Sequence, residues 1–203
     1  AQGFTDVVVA TGAWMPGSAG LGEGTELDVL EFLEAAKKGE KLELGEDVVV
    51  IGAGNTAMDA ARVAKRLAGV KNVRLVYRRT KKQMPADEEE LDLALADGVE
   101  FCELLAPKAL NGAVLTCDVM ELGEPDESGR RRPVEIPGSE YEIELDTVIM
   151  SLGTSPNPLI ASTTKGLETN RRKCIVAEEE NGQTSKAAVF ALSLIHISEP
   201  TRP

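Results

Sequence analysis

The chain is poor in cysteine and histidine, with three and one of them in 203 residues. Cys102, Cys117 and Cys174 stand far apart, so there is neither a Cys-x-x-Cys redox pair nor zinc-ligand spacing, and the odd count fits reduced, structural thiols. The histidine, His196, falls inside LSLIHISEPTRP, a C-terminal stretch that breaks the pattern before it. Residues 192–202 are what a sequencing-library adapter encodes when read in frame, so residues 192–203 are expected to be a non-native tail and no general base or metal ligand is built on His196. With no catalytic triad and no metal set, no catalytic residue is assigned, and the chemistry must come from cofactors. No apolar run approaches the roughly 18 residues of a membrane span. The opening AQGFTDVVVATG lacks a basic segment followed by an apolar one, so no signal peptide is indicated and a cytoplasmic setting is expected. Basic excess is lacking too: a net charge of -12 repels phosphate at long range and disfavours nucleic acid or anionic membrane as partners. There is no starting Met, and the chain opens almost directly into a strand, which reads as part of a longer protein.

What the chain does have is β-branched runs ending in small residues: Asp6–Gly12, Asp47–Gly52 and Asp146–Gly153. Continuous rather than alternating apolar character predicts strands buried on both faces, as in a parallel sheet covered by helices, hence an α/β fold. Leu27, Leu30, Phe32, Leu33 and Ala36 of LDVLEFLEAAKKG suit a short amphipathic helix ending at Gly39. The nearby GLGEG, Gly20 to Gly24, follows no strand and opens no helix, so plain loop is expected. A second helix is predicted over Thr56–Ala68 with Gly69 as its stop and Ala57, Ala60, Ala61 and Ala64 as a small-residue face, followed by a strand over Val73–Tyr77. Pro85 and the acidic run Asp87–Glu90 read as a solvated helix start, since carboxylates suit the positive end of a helix. From Val99 to Leu145 short strands and turns, including Asn111-Gly112 and the polar loop GEPDESGRRRPVEIPGS, predict an antiparallel insertion. The run Arg130-Arg131-Arg132 has the charge to bind an anion, but it is read first as part of a hairpin loop flanked by acids.

The stretch VVVIGAGNTAMDAARVAKR, Val48 to Arg66, carries the most specific signal. Gly52 permits a sharp turn from strand to helix, Gly54 removes a side chain that would block an approaching pyrophosphate, and Ala57 at the third position lets helix and strand pack closely. Gly52-Ala53-Gly54 between a strand and a helix therefore predicts dinucleotide binding. The next strand ends in Tyr77-Arg78-Arg79-Thr80-Lys81-Lys82, with four positive charges in residues 78–82 where an NAD-selective site usually has an acid. A guanidinium grips a 2′-phosphate bidentately, so NADP(H) is favoured over NAD(H).

The pieces DVVVATGAW, GAGNTAMDAA, VYRRTKKQMPADEEE, MELGEPDESGRRRPV and DTVIMSLGTSPNPLI together resemble the small chain of NADPH-dependent glutamate synthase, over Ala1 to Ala191. Selenate-reductase-like subunits and the flavoprotein subunits of ferredoxin:NADP oxidoreductases share that architecture; GVEFCELLAP leans to the former, TSPNPLIASTTKGLE to glutamate synthase. The resemblance implies a Rossmann-like, parallel-sheet NADPH-binding domain with an antiparallel β insertion, flanked by incomplete pieces of an FAD-binding domain. The expected boundaries are 1–44 for the first FAD-domain segment and linker, 45–153 for the NADPH domain and 154–191 for the returning FAD segment. By the same resemblance, Asn55 and Thr56 help hold pyrophosphate with the turn Gly52-Ala53-Gly54, Arg78 and Arg79 hold the 2′-phosphate, and Thr11-Gly12 and Ser151-Leu152-Gly153 lie near the cofactor junction. NADPH would reduce FAD, and electrons would pass through iron–sulfur clusters to a large subunit, or another acceptor, that forms glutamate from 2-oxoglutarate and ammonia. The FAD fingerprint and cluster cysteines of that family precede the matched region, and its Gly-Gly-Asp motif is replaced by the tail. This chain alone is therefore expected to bind NADPH and to hold FAD poorly. A non-catalytic nucleotide-binding assembly subunit remains the alternative, whereas a thioredoxin-reductase-like reductase is opposed by the missing Cys-x-x-Cys.

Overall fold

The computed structural model describes residues 3–13, 15–125 and 131–192; Trp14, Arg130 and the tail from residue 193, including His196, lie outside the described residues. The chain divides into two compact units, residues 16–153 and residues 1–15 with 154–203. The two-residue strands Met15–Pro16 (β2) and Thr154–Ser155 (β12) fall at the boundaries.

In the larger unit, Glu26–Asp28 (β4), Asp47–Ile51 (β5), Asn72–Tyr77 (β6), Glu100–Glu103 (β7) and Thr147–Met150 (β11) form a five-stranded parallel sheet in the order β4-β11-β5-β6-β7. β11, last in the chain, lies between β4 and β5, with Thr147 opposite Val48 and Met150 opposite Ile51. Two of these strands were not foreseen. β4 begins what the periodicity assigned to the first helix: Leu27 is in the strand, and Asp28 caps Val29–Lys38 (α1) by accepting from the Leu30 and Glu31 N–H groups at 2.9 and 3.1 Å. β7 opens the segment expected to be wholly antiparallel, yet it runs parallel to β6, with Val76 opposite Cys102.

The β-branched runs of β5 and β11 are buried on both faces as expected, but helices cover only one of those faces. Val48, Val50 and Ile149 point into a core shared with α1 and Asn55–Arg66 (α2), whose Ala57, Ala60, Ala61 and Ala64 are fully buried. Glu88–Ala96 (α3) adds Leu91 and Ala94 to that core. Val49, Ile51, Val148 and Met150 instead face Leu110, Leu115, Cys117 and Ile143 of a second sheet. That sheet is the antiparallel insertion, made of Leu105–Asn111 (β8), Val114–Pro125 (β9) and Arg131–Glu144 (β10), and so the insertion is itself the second covering layer.

Gly22–Glu23 (β3) completes the second sheet by pairing with β8, which corrects the reading of GLGEG as plain loop. The glycines are there for proximity: a Cβ on Gly22 would stand 2.8 Å from the Leu110 carbonyl oxygen, and one on Gly24 2.5 Å from the Leu110 side chain. The polar stretch read as a loop after β9 is likewise mostly strand, since β9 and β10 stay paired as far as Arg131 and Pro125 with a register shift between Glu135 and Glu140. Arg131 donates to the carbonyls of Gly123 and Leu122 at 2.8 and 3.1 Å, which commits it to the ribbon. α2 ends at Arg66, two residues short of the predicted Ala68, because Leu67 turns extended and packs on the core.

The smaller unit is described by itself. Val7–Val9 (β1) pairs parallel with Val189–Ala191 (β13), and Asn157 caps Pro158–Thr163 (α4) through the Leu159 N–H at 2.9 Å. Val7 and Val8 are 52% and 57% exposed, unlike the doubly buried strand expected there, because β1 lies in a two-stranded sheet.

The start of β5 is held by a carboxylate at the head of β11. Asp146 accepts from the N–H groups of Glu46 and Asp47 at 2.7 and 3.0 Å, across a close approach that only Gly45 allows, since a Cβ there would stand 2.3 Å from that of Asp146. The hydrogen bonds from Asp47 and Glu46 hold the Asp146 carboxyl below its ordinary range. A depressed folded-state pKa adds stability above the unfolded value of about 3.9 and loses it as pH falls through the folded value. Asp146→Asn is therefore expected to lower the urea midpoint at neutral pH, with the gap to the parent closing as the pH drops below about 4; a gap independent of pH contradicts this assignment.

Candidate functional site

At the C-terminal end of β5 the chain turns on Gly52 and enters α2 at Asn55, with Gly54 as the capping residue. Gly52 adopts φ 139°, and its N–H donates to the Val76 carbonyl of β6 at 3.1 Å. A Cβ on Gly52 would stand 2.2 Å from the Ser151 carbonyl oxygen, so the turn needs glycine both for its backbone angle and for the approach of β11. Ser151 returns a hydrogen bond from its N–H to the Ile51 carbonyl at 2.9 Å, bringing together Gly52 and Ser151, two of the residues singled out by sequence. Gly153, at φ 83°, accepts from the Gly17 N–H at 2.9 Å. Thr11 and Gly12 belong to the smaller unit, where Gly12 adopts φ 67° and both are exposed.

Gly54 is different: its φ is -92°, and among the described residues a Cβ there would meet nothing within 4 Å, so the space beyond it is open to them. The first N–H groups of a helix have no partner within the helix and carry its positive end, and the first turn of α2 has no acidic residue to satisfy them. Thr56 is exposed at this end and Ala57 is fully buried against the sheet. Asn55 is exposed, but its amide is engaged with Asp87. Its Nδ2 donates to the Asp87 carboxylate at 2.9 Å, and its Oδ1 accepts from the Asp87 N–H at 2.9 Å. Beside this pair the Ala86 N–H donates to the Ala53 carbonyl at 3.1 Å. Sequence reasoning placed Asp87 only in a solvated helix start; a pairing across 32 positions leaves no local pattern to find.

At the end of β6 lies a tight turn carrying the basic residues. The Thr80 hydroxyl donates to Gln83 Oε1 at 3.1 Å, the Gln83 N–H to the Thr80 carbonyl at 2.9 Å, and the Tyr77 hydroxyl to the Gln83 carbonyl at 2.8 Å. The Lys81 N–H donates to the Glu103 carboxylate of β7, and Lys81 Nζ sits 6.0 Å from the centre of the Phe101 ring. Elsewhere in this unit cations find carboxylates: Arg62 and Arg66 share Asp97 at 2.9 and 2.6 Å, and Lys108 bridges Asp118 and Glu140 at 2.8 and 2.7 Å. Arg78, Arg79 and Lys82 form no side-chain ion pair among the described residues, and Arg79 Nε is buried with no hydrogen-bond partner. A buried donor left unpaired costs free energy, which makes it conspicuous in an acidic chain.

The other polar features lie away from this turn. A cavity of about 280 Å³ is lined by Asp47, Arg74 and Glu100, at the opposite end of the parallel strands. Burial pushes the thiol of Cys117 up to about 12 and that of Cys102 to about 11, so both stay protonated and poorly nucleophilic at neutral pH. Among the described residues no group of His, Cys, Asp or Glu is arranged to hold a metal ion.

The two glycines predict opposite outcomes in chemical denaturation. Gly52→Ala is expected to cost on the order of 3 kcal/mol, from a strained backbone angle and the collision with Ser151. Gly54→Ala is expected to cost under about 1 kcal/mol, because its side chain would project into open space. Equal losses at the two positions contradict the geometry.

The model of the pyridine nucleotide-disulphide oxidoreductase family matches residues 2–193. The Escherichia coli (strain K12) protein YgfK, provisionally named an oxidoreductase, is 47% identical over 156 residues, covering 75% of this chain and 15% of its own. The NADPH-Fe(3+) oxidoreductase subunit beta of Geobacter sulfurreducens (strain DL-1 / KN400) is 41% identical over 155 residues, covering 73% of this chain and 23% of its own. The glutamate synthase [NADPH] small chain of Azospirillum brasilense is 34% identical over 206 residues, covering 91% of this chain and 42% of its own. The chain thus spans less than half the length of each of these relatives. Among solved structures, Mycobacterium tuberculosis FprA in complex with NADPH superposes with a TM-score of 0.72 at 18% identity, over 94% of this chain and 58% of that one. At that identity the likeness is one of fold, an α/β architecture built on a parallel sheet, as the sequence predicted. On the family match, which runs through both units and the glycine turn at Gly52, the chain belongs to the pyridine nucleotide-disulphide oxidoreductase family.

Proposed function

We propose that this chain is the NADPH-binding, flavin-linked electron-input part of a larger oxidoreductase. The observation that carries the reading is the set of cations at the end of β6 that have no ion pair among the described residues, with Arg79 Nε buried and unpaired among them, next to a glycine turn that opens a helix. These residues fit a 2′-phosphorylated dinucleotide. The turn Gly52-Ala53-Gly54 and the N-terminus of α2 face the pyrophosphate, with Thr56 at that end and no acidic residue in the first helical turn. Arg78 and Arg79 grip the 2′-phosphate, a dianionic group that suits guanidinium forks. Ala57 is the small residue that allows α2 to seat on the sheet.

The chemistry that a bound nicotinamide supplies is hydride donation to a flavin, and the protein's part is to bind and orient. Ser151, whose carbonyl lies against Gly52, and Gly153 belong to the NADPH side in the larger unit, and Thr11-Gly12 in the smaller unit belong to the FAD side. In this reading residues 45–153 are the NADPH domain, joined by β3, β4 and α1 from the linker before it, residues 1–15 and 154–191 belong to an FAD domain completed by other parts of the protein, and iron–sulfur clusters lie outside this chain. The protein works in the cytoplasm with a partner subunit as electron acceptor.

The terminal reaction we favour is that of glutamate synthase, in which a large subunit forms glutamate from 2-oxoglutarate and glutamine-derived ammonia. The length of the match to the Azospirillum brasilense small chain, 91% of this chain, supports it. The higher identity, 41%, to a subunit named for NADPH and Fe(3+) supports a second reading, a flavoprotein subunit serving a different acceptor.

Replacing Arg78 and Arg79 together by Ala is expected to raise the dissociation constant for NADPH by on the order of a hundredfold while changing that for NADH by about twofold or less, since each lost charge-assisted hydrogen bond costs about 1.5–3 kcal/mol. Fluorescence titration with both nucleotides measures this. Equal changes for the two nucleotides reject the assignment of the 2′-phosphate site.

A further inference from the structure

Two helices begin side by side at the glycine turn, and they are joined at both ends. At their C-terminal ends Arg62 and Arg66 of α2 share the carboxylate of Asp97, which follows α3. At their N-terminal ends Asn55 and Asp87 exchange two hydrogen bonds of 2.9 Å each. The positive poles of both helices converge there, and Asp87 places its carboxylate between them rather than capping its own helix, for which it makes no side-chain hydrogen bond. Asn55 thereby spends its carbonyl oxygen and one amide hydrogen on the protein.

The segment between the basic turn and Asp87 is short and anchored throughout. Tyr77 and Thr80 hold Gln83, the Met84 N–H donates to the Lys81 carbonyl at 3.2 Å, and Ala86 and Asp87 are tied to Ala53 and Asn55. Residues 78–87 thus form a strap whose first end carries Arg78 and Arg79 and whose second end is fastened to the pyrophosphate turn.

We infer that the Asn55–Asp87 pair is a positioning clamp that sets the preference for NADPH over NADH from the far end of the strap. The inference rests on the NADPH reading above, and it gives Asn55 a role through Asp87 in place of a direct phosphate contact. A guanidinium fork discriminates only if it is held in register with a phosphate that the rest of the site has already placed, so freeing one end of the strap weakens the 2′-phosphate grip more than the pyrophosphate grip.

The two roles for Asn55 separate in an exchange experiment on the full chain, with NADPH and NADH as probes. Asn55→Asp sets two carboxylates against each other and opens the clamp; the dissociation constant for NADPH is expected to rise about tenfold, and that for NADH about twofold. Adding Asp87→Asn rebuilds the pair with donor and acceptor exchanged, Asn at 87 donating to Asp at 55, and NADPH affinity is expected to return to within about twofold of the parent. Asp87→Asn alone keeps both bonds but removes a negative charge beside the pyrophosphate turn, so the two dissociation constants are expected to fall together and their ratio to stay within about twofold of the parent's.

A direct phosphate contact from Asn55 predicts the reverse. The exchanged pair then stays as weak as Asn55→Asp because a carboxylate still faces the phosphate, and both nucleotides lose equally; either result overturns the clamp. An affinity unchanged in Asn55→Asp also overturns it. A parent chain with no preference for NADPH sinks the proposed function itself, a failure read from the parent alone. Loss of folding in Asn55→Asp is recognised in its thermal unfolding curve, and the exchanged pair then decides the matter alone: refolding with the parent's nucleotide preference supports the clamp, and refolding without it overturns the clamp.

Discussion

The close seating of α2 on the parallel sheet is the contact on which the larger unit depends. Four alanines, Ala57, Ala60, Ala61 and Ala64, are fully buried along one face, so the helix backbone comes nearer to β5 and β6 than a face of leucines would allow. That approach fixes where the helix begins, and its beginning requires the turn at Gly52, which in turn admits the carbonyl of Ser151, the residue after β11. A larger side chain in either place displaces a strand as well as a helix. The glycine turn is therefore part of the packing of the sheet as much as a place for a ligand.

Electrostatics complete the arrangement. The chain carries a net charge of -12, and many of its cations answer nearby carboxylates, as in the Arg62–Asp97–Arg66 group that holds α3 to α2. Against that background the cations at the end of β6 stand apart: Arg78, Arg79 and Lys82 form no ion pairs among the described residues, and the turn that carries them is tightly bonded through Thr80, Gln83 and Tyr77. A rigid turn presenting unneutralised charge has already met part of the ordering cost of binding an anion. The acidic remainder of the surface discourages longer polyanions at a distance.

The elements that local pattern describes well are those whose neighbours the pattern implies. A β-branched run, a glycine turn and an alanine face are mutually consistent, so β5, α2 and β6 could be read within two residues of their ends. Gly39 likewise ends α1 in the left-handed conformation that its position calls for. The reading faltered where a short strand owes its existence to a distant partner. β4 is three residues long and is defined by its pairing with β11, while β3 is two residues long and exists because Gly22 and Gly24 let it lie against Leu110. Neither has a period of its own to detect.

From the sequence alone came the α/β class, the glycine turn, the basic residues after β6 and the family resemblance, because each is written in a few adjacent residues whose chemistry is local. The tertiary structure decided the rest. It made the antiparallel insertion the layer that buries Val49, Ile51 and Val148, when helices were expected on that face. It left Arg79 Nε without a partner among the described residues, a property of all those around it together. It also joined Asn55 to Asp87 across 32 positions, a bond that arises only once two helices have been set side by side on the sheet.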